Sequence, residues 1–268
     1  MNFYRYLWIF ILIINYSIYS QSIDSNFTLV IDPGHGGKDP GNTGNGYLEK
    51  KIALSIGLKI GERLKKYKNI SVIYTRKTDV FVDLYRRAKI ANDVQADLFI
   101  SIHCDAHTSN AYGAGTFVLG LHANERNFKI AQKENSVIFL EDDYQQKYEG
   151  FDPNNPESVI SLVLMQEDYL DKSIVAANFI QKSFVNRLKR RDRTVKQAGF
   201  LVLRNTFMPS VLVETGFLTN KSEGSYLNSN KGQNEMADAI SEAIINYFKA
   251  LDNPSKSSEN LTRIDNYE

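Results

Sequence analysis

One stretch near the N-terminus constrains the fold more than any other part of the chain. An apolar run at residues 29–31 leads directly into a series of turn-forming residues, Asp32-Pro33-Gly34-His35-Gly36-Gly37. Proline has no N–H to donate to a neighbouring strand, and glycine tolerates the positive φ angles of tight turns. The pattern predicts a strand over 28–32 that ends in a turn carrying His35. Because open α/β sheets hold ligands at the carboxyl ends of their strands, we expect His35 to lie at such an edge.

Helical and extended patterns alternate along the rest of the chain. Apolar residues recur every fourth position between Glu49 and about residue 66, which is typical of a helix with one buried face. Further helices are predicted at about 82–95, 172–190 and 236–251, and further strands at 70–74, 96–103, 116–121, 199–203 and 210–214. The nearly continuous apolar strand at 96–103 suits a sheet covered on both faces. We therefore predict a single α/β domain over residues 28–250, with three layers: a twisted, mixed, mostly parallel sheet and helices on both faces.

Composition excludes several classes of protein. The formal net charge of the 268 residues is +1, which offers no bulk attraction to nucleic acid or to an anionic membrane. The single cysteine, Cys104, excludes an internal disulfide and a cysteine-rich zinc module. We expect Cys104 to be a small buried residue.

The two ends of the chain do not belong to the predicted domain. Arg5 precedes an apolar run at 7–14, and small residues follow up to Ser20, which is the pattern of a secretory signal peptide over residues 1–20. The alternative is an uncleaved membrane anchor, although the run is shorter than the ~20 apolar residues that a spanning helix needs. We expect export to the periplasm or cell envelope, with no membrane span after cleavage. The polar tail at 254–268 is predicted to be disordered.

Residues 122–170 differ in pattern from the regions around them. Connections in compact domains are usually ~4–6 residues, and long excursions tend to be functional lids or disorder. Apolar residues within the segment, such as Ile138 and Phe139, argue against disorder. We expect this insertion to cover a site at the sheet edge where His35 lies, and a carboxylate of Glu141, Asp142 or Asp143 to approach that site. We expect an activator protein to relieve the occlusion. The alternative is a structural addition that widens a substrate groove.

Four residues suggest a metal site at the edge of the sheet. His35, His103 and Glu214 end predicted strands, and Glu49 begins the first helix. Catalytic zinc sites typically take three histidine or carboxylate ligands and leave the fourth position to water. Isolated histidines are more often surface or hydrogen-bonded residues, and no compact H-E-x-x-H motif is present. Spacing alone therefore leaves metal binding open.

Four segments, in this order, resemble the zinc-dependent N-acetylmuramoyl-L-alanine amidases of the AmiC-like, cell-division type. They are LVIDPGHGGKDPG with YLEKKIAL at 29–54, VIYTRKTDVFVDLYRRAKIAN at 72–92, DLFISIHCDA at 97–106 and MPSVLVETGFLTN at 208–220. The resemblance implies Zn²⁺ held by His35, Glu49 and His103. It implies Glu214 as the catalytic base. One departure is Asp105, where the family usually has asparagine.

The resemblance also implies an activity. The expected substrate is peptidoglycan, and the expected reaction is hydrolysis of the amide between N-acetylmuramic acid and the L-alanine of the stem peptide. This reaction would serve cell-wall remodelling or daughter-cell separation. Two alternatives remain from the residues alone, since they do not define the substrate subsites. One is a zinc peptidase acting within the stem peptide, and the other is a peptidoglycan-binding module without catalysis.

Overall fold

The computed structural model describes residue 23 and residues 25–121, 124–158 and 167–252. The strands are β1 (Phe27–Pro33), β2 (Thr43–Gly44), β3 (Tyr47–Leu48), β4 (Ile70–Tyr74), β5 (Leu98–Asp105), β6 (Ala114–Leu119), β7 (Asp192–Ala198) and β8 (Ser210–Phe217). The helices are α1 (Glu49–Leu64), α2 (Leu84–Asp93), α3 (Glu125–Asn135), α4 (Tyr144–Lys147), α5 (Glu167–Asn186), α6 (Leu201–Arg204), α7 (Lys221–Asn228) and α8 (Asn230–Asp252). A 3₁₀ turn follows α3 at Ser136–Leu140.

Six of these strands form one sheet in the order β4-β1-β5-β8-β6-β7. Neighbouring strands are parallel except for β6 and β8, which are antiparallel. Strands β2 and β3 form a small antiparallel pair in the loop between β1 and α1. The prediction of a mixed, mostly parallel sheet is confirmed.

The sheet lies between two layers of helices. Helices α1, α5 and α8 pack on one face, against side chains that include Ile31, Ile102 and Val213. Helices α2, α3 and α6 contribute to a second core on the other face, with Phe99 and Leu212. Since successive side chains of a strand point to opposite faces, apolar residues at adjacent positions feed both cores. The predicted three-layer arrangement is confirmed.

One face of the sheet changes from apolar to polar along the strands. On this face β1 presents Val30 and then Asp32, β5 presents Phe99, Ser101 and His103, and β8 presents Leu212 and Glu214. In the strand register Asp32 pairs with Ser101, and His103 pairs with Glu214. The carboxyl ends of three adjacent parallel strands therefore bring polar side chains together at one edge.

The predicted strand at 199–203 is wrong. The strand is β7, which precedes that position, and Leu201–Arg204 is the short helix α6. β7 lies at the edge of the sheet and has the polar sequence DRTVKQA, so it lacks an apolar run. The apolar residues that follow it are buried as a helical turn on the second face, and a short apolar run does not distinguish strand from helix.

Part of the predicted insertion is folded onto the domain. Its described portion contains α3, the 3₁₀ turn and α4, with a small core of Ile138, Tyr148 and Phe151 against Leu201 of α6. The predicted signal peptide at 1–20, the tail at 254–268 and part of the insertion lie outside the described residues. Within the described ranges, the helices all lack the combination of length and apolar character needed to cross a membrane.

Candidate metal centre and active site

The turn after β1 holds His35 in an unusual conformation. His35 has a φ of 61°, in the left-handed region that side-chain-bearing residues rarely adopt. Two buried arginines stabilise this turn by donating to successive carbonyl oxygens. Arg76 donates to the carbonyls of Pro33 and Gly34 at 2.9 and 2.7 Å, and Arg87 donates to that of His35 at 2.9 Å. These hydrogen bonds hold the backbone of the turn that carries His35.

Four buried side chains converge beside this turn. Nε2 of His35 lies 3.1 Å from Nδ1 of His103 and 3.1 Å from Oε1 of Glu49, while His103 Nδ1 lies 3.0 Å from the same Glu49 oxygen. The fourth side chain is Glu134 of α3, whose Oε2 is 3.2 Å from His35 Nε2 and 3.1 Å from His103 Nδ1. All four ligand atoms lie within 4.8 Å of one another. The close approach also depends on Gly34, where a Cβ would lie 2.5 Å from the His103 ring.

These separations fit a small tetrahedral cation. Zinc bonds of about 2.0 Å to nitrogen and oxygen place neighbouring ligand atoms roughly 3.3 Å apart. Oε2 of Glu134 is buried and meets no hydrogen-bond donor among the described residues, although it points into the cluster. Such an orphaned carboxylate oxygen is explained when a cation completes the site. The donor set of two imidazoles and two carboxylates suits zinc.

Hydrogen bonds on the outer side of each imidazole orient its ring. Nδ1 of His35 donates to Oδ2 of Asp39 at 2.7 Å, which leaves Nε2 facing the cluster. Nε2 of His103 lies 3.0 Å from Oγ of Ser101, which leaves Nδ1 facing the cluster. Metal-binding histidines characteristically use the nitrogen that does not touch the protein as the ligand atom.

The cluster concentrates negative charge around the two imidazoles. Burial disfavours the charged form of His35, but the carboxylates of Glu49 and Glu134 raise its pKa well above the ordinary value. Burial acts in the same way on His103, where Glu134 is the main opposing charge and the pKa rises to about 9. Both shifts have one physical cause, the attraction of a cation to two buried carboxylates.

Glu214 is a separate buried carboxylate next to this cluster. It pairs with His103 in the β5–β8 register and with Gly115 in the β6–β8 register, so one of its neighbours has no side chain. Neither carboxylate oxygen meets a hydrogen-bond donor within the described ranges. Burial, reinforced by the charges of Asp105 and Glu134, raises the pKa of Glu214 well above the ordinary value. A carboxyl group with a raised pKa is suited to take up and release a proton.

The structure brings together the residues singled out from the sequence and adds one. His35, Glu49 and His103 form one buried cluster, with Glu214 beside His103, and the added residue is Glu134. Their roles as ligands and base stay predictions.

The expectation that Glu141, Asp142 or Asp143 approaches the site is wrong. Glu134 reaches the cluster, whereas Glu141 accepts hydrogen bonds from the Leu84 N–H and the Tyr148 hydroxyl, and Asp142 and Asp143 are exposed. Glu141 follows the 3₁₀ turn after α3, and its hydrogen bonds hold it against the start of α2 and Tyr148. No local pattern distinguishes Glu134 from the other acids of the segment.

Comparisons with known proteins identify the family of the chain. A family model described as N-acetylmuramoyl-L-alanine amidase matches residues 29–246. The chain is 35% identical over 235 residues to the N-acetylmuramoyl-L-alanine amidase AmiA of Escherichia coli K12, covering 86% of this chain and 79% of that protein. Two solved structures are also similar.

The first is the N-acetylmuramoyl-L-alanine amidase from Clostridium difficile 630, with a TM-score of 0.64 and 28% identity, covering 84% of this chain and 98% of that one. The second is the amidase AmiC2 of Nostoc punctiforme, with a TM-score of 0.62 and 28% identity, covering 83% of this chain and 97% of that one. Most of the described domain is thus matched in both sequence and structure. The chain belongs to the N-acetylmuramoyl-L-alanine amidase family.

Proposed function

We propose that this amidase uses a zinc ion held by His35, Glu49 and His103 to hydrolyse the amide between N-acetylmuramic acid and L-alanine in peptidoglycan. One observation carries the proposal. Three buried ligand atoms lie 3.0–3.1 Å apart at the carboxyl end of the sheet, with the unpartnered carboxylate of Glu214 on the adjacent strand. Family membership supplies the substrate and the bond.

The metal ligands and Glu214 have separate roles in the proposed hydrolysis. A zinc ion bound there would activate a water molecule and polarise the lactyl carbonyl as a Lewis acid. Glu214 removes a proton from the attacking water and delivers it to the departing nitrogen. The C–N bond breaks, and the products are a lactyl carboxylate on the glycan and a free amino group on L-alanine. An amine is a poor leaving group without that proton, so the reaction requires the carboxyl group of Glu214.

Removal and return of the metal test the zinc assignment. We expect a chelator to abolish peptidoglycan cleavage, and about one equivalent of Zn²⁺ per chain to restore it, because the site has a single set of ligands. Metal content would be measured by elemental analysis alongside activity. Full activity in a chain shown to be free of metal would contradict the proposal.

We propose further that α3 is a gate that keeps the site closed. Catalytic zinc sites leave their fourth position to water, and here Oε2 of Glu134 lies at the corresponding side of the cluster. Neighbouring residues hold α3 in place: Lys133 donates to Oδ1 of Asn42, and Asn135 bonds the backbone of Gly199 and Leu201 at 2.7 and 2.8 Å. An activator protein that binds the displaced form of α3 would open the site.

Glu134→Gln tests the gate. Glutamine keeps the size of the side chain but removes its charge, so it competes poorly for the metal, and we expect cleavage without any partner to rise. A shift of the closed–open balance by ~1.4 kcal/mol corresponds to tenfold. Glu141→Gln is the matched control, since Glu141 is a buried acid of the same segment that bonds Leu84 and Tyr148 outside the cluster. If zinc-loaded Glu134→Gln were no more active than the wild-type chain, the gate proposal would be wrong.

The cellular location of the protein is also part of the proposal. The N-terminal pattern supports export to the periplasm or cell envelope, where peptidoglycan lies. We expect the mature chain to begin near Gln21, which mass analysis of protein recovered from the envelope would measure. An intact N-terminus on a membrane-bound product would favour the anchor.

A further inference from the structure

A line of buried hydrogen bonds runs behind His103, on the side away from the metal cluster. Nε2 of His103 lies 3.0 Å from Oγ of Ser101, and that Oγ lies 2.7 Å from Oδ2 of Asp32. The other oxygen of Asp32, Oδ1, accepts from Oγ1 of Thr75 at 2.5 Å and from Nη1 of Arg87 at 2.7 Å. Asp32 and Ser101 are both fully buried. The two residues pair in the β1–β5 register, and Ser101 lies two residues before His103 on β5.

The direction of each hydrogen bond follows from the charge of Asp32. Burial alone would raise the pKa of Asp32, but the Arg87 guanidinium and three hydrogen bonds hold it below the ordinary value. An ionised carboxylate only accepts hydrogen bonds, so the Ser101 hydroxyl donates its single proton to Oδ2. The Ser101 oxygen then presents a lone pair to His103, and Nε2 must be the donor. The imidazole that binds a metal is neutral and has one N–H, which leaves the lone pair on Nδ1.

We propose that Asp32, acting through Ser101, is a positioning device that fixes the tautomer of His103 so that its Nδ1 lone pair faces the metal. The inference rests on the proposed metal site. It assigns a function to two fully buried residues that lie outside the ligand set. The carboxylate of Asp39 fixes the tautomer of His35 through a direct hydrogen bond. The tautomer of His103 is fixed through two hydrogen bonds, because Ser101 lies between its ring and Asp32.

Two hydroxyl-removing substitutions separate this function from general stability. Ser101→Ala and Thr75→Val each remove one hydroxyl that donates to the Asp32 carboxylate, but only Ser101 connects that carboxylate to His103. We expect Ser101→Ala to weaken zinc affinity about 10–100-fold, the usual effect of losing such an outer partner. Thr75→Val should leave zinc affinity at the wild-type value even where it lowers the melting temperature. Affinity would be measured by competition with a chromophoric chelator, which needs no turnover.

Asp32→Asn makes a stronger prediction, because it reverses the hydrogen bonds instead of deleting one. Oδ1 already has two donors, from Thr75 and Arg87, so the amide oxygen of asparagine stays there and its NH₂ group faces Ser101. The Ser101 oxygen now accepts from that NH₂, and its proton turns towards Nε2 of His103. Zinc binding through Nδ1 then leaves the Ser101 proton without an acceptor. We expect weaker zinc binding than in Thr75→Val. In ¹⁵N-histidine spectra of the zinc-loaded chain we expect an upfield shift of the His103 Nε2–H signal, because that proton has lost its hydrogen-bond acceptor.

The outcomes are distinguishable. Equal zinc affinity in Ser101→Ala and the wild-type chain, or equal losses in Ser101→Ala and Thr75→Val, would overturn the inference while leaving the zinc site intact. A wild-type chain that binds no zinc would overturn the proposed function instead. Asp32→Asn fails to report on the inference if the variant does not fold because Arg87 loses its counter-charge. The comparison of Ser101→Ala with Thr75→Val, by zinc affinity and by the His103 Nε2–H signal, then tests the inference.

Discussion

Glu214→Gln is expected to lower kcat by about 10²–10⁴-fold, the usual contribution of a general acid–base group, while the chain keeps its fold and its zinc. Glutamine is nearly isosteric with glutamate but does not accept the proton from water. Because both oxygens of Glu214 lack hydrogen-bond donors among the described residues, the substitution breaks no bond seen in the structure. Steady-state kinetics on purified peptidoglycan, with zinc measured in the same samples, would check this expectation.

The control for this experiment is Glu62→Gln, at an exposed carboxylate of α1. It makes the same chemical change at a distance from the site and should leave kcat unaltered. A loss of less than about tenfold in Glu214→Gln would indicate that this residue is structural and that another group moves the proton.

The second large effect is expected for His103→Ala, which should lose zinc and activity together. This substitution removes one of three ligands and opens a space beside Gly34, whose backbone packs against the imidazole. His107→Ala is the matched control, since His107 lies four residues further on, is exposed, and accepts from the Ser109 N–H at 3.0 Å outside the cluster. Elemental analysis should find about one zinc per chain in the control and almost none in His103→Ala. A full equivalent of zinc in His103→Ala would mean that the ligand set has been assigned wrongly.

Much of the fold follows from local sequence because strands and turns are encoded locally. The Pro33 and glycine turn ends β1, and the near-continuous apolar run of β5 requires two covered faces. The carboxyl ends of parallel strands lie at one edge of the sheet. Predicting the strands that end near His35, His103 and Glu214 therefore also predicts that these residues lie close together. The two-residue alternation of β5 also places Ser101 on the same face as His103, which could have identified Ser101 once the strand was recognised.

Other features depend on contacts that the sequence does not display. β7 is polar because it lies at the edge of the sheet, so its pattern resembles a loop. Glu134 reaches the cluster because α3 docks through Asn135 on the segment at 199–201. That docking joins residues more than sixty positions apart, and no local pattern marks Glu134 among its acidic neighbours. The Arg87–Asp32 ion pair is similar, since no local pattern at either residue predicts a partner fifty-five positions away.

Mass spectrometry of digested peptidoglycan tests the central claim most directly. Zinc-loaded Glu134→Gln chain would be incubated with intact sacculi, and a chain that carries both Glu134→Gln and Glu214→Gln would report background release. We expect intact glycan strands with free lactyl carboxylates, together with released stem peptides that begin at L-alanine. Cleavage within the stem peptide would indicate a peptidase, and the absence of any released product would indicate a binding module. Either result would contradict the assignment of this site to the muramoyl–L-alanine bond.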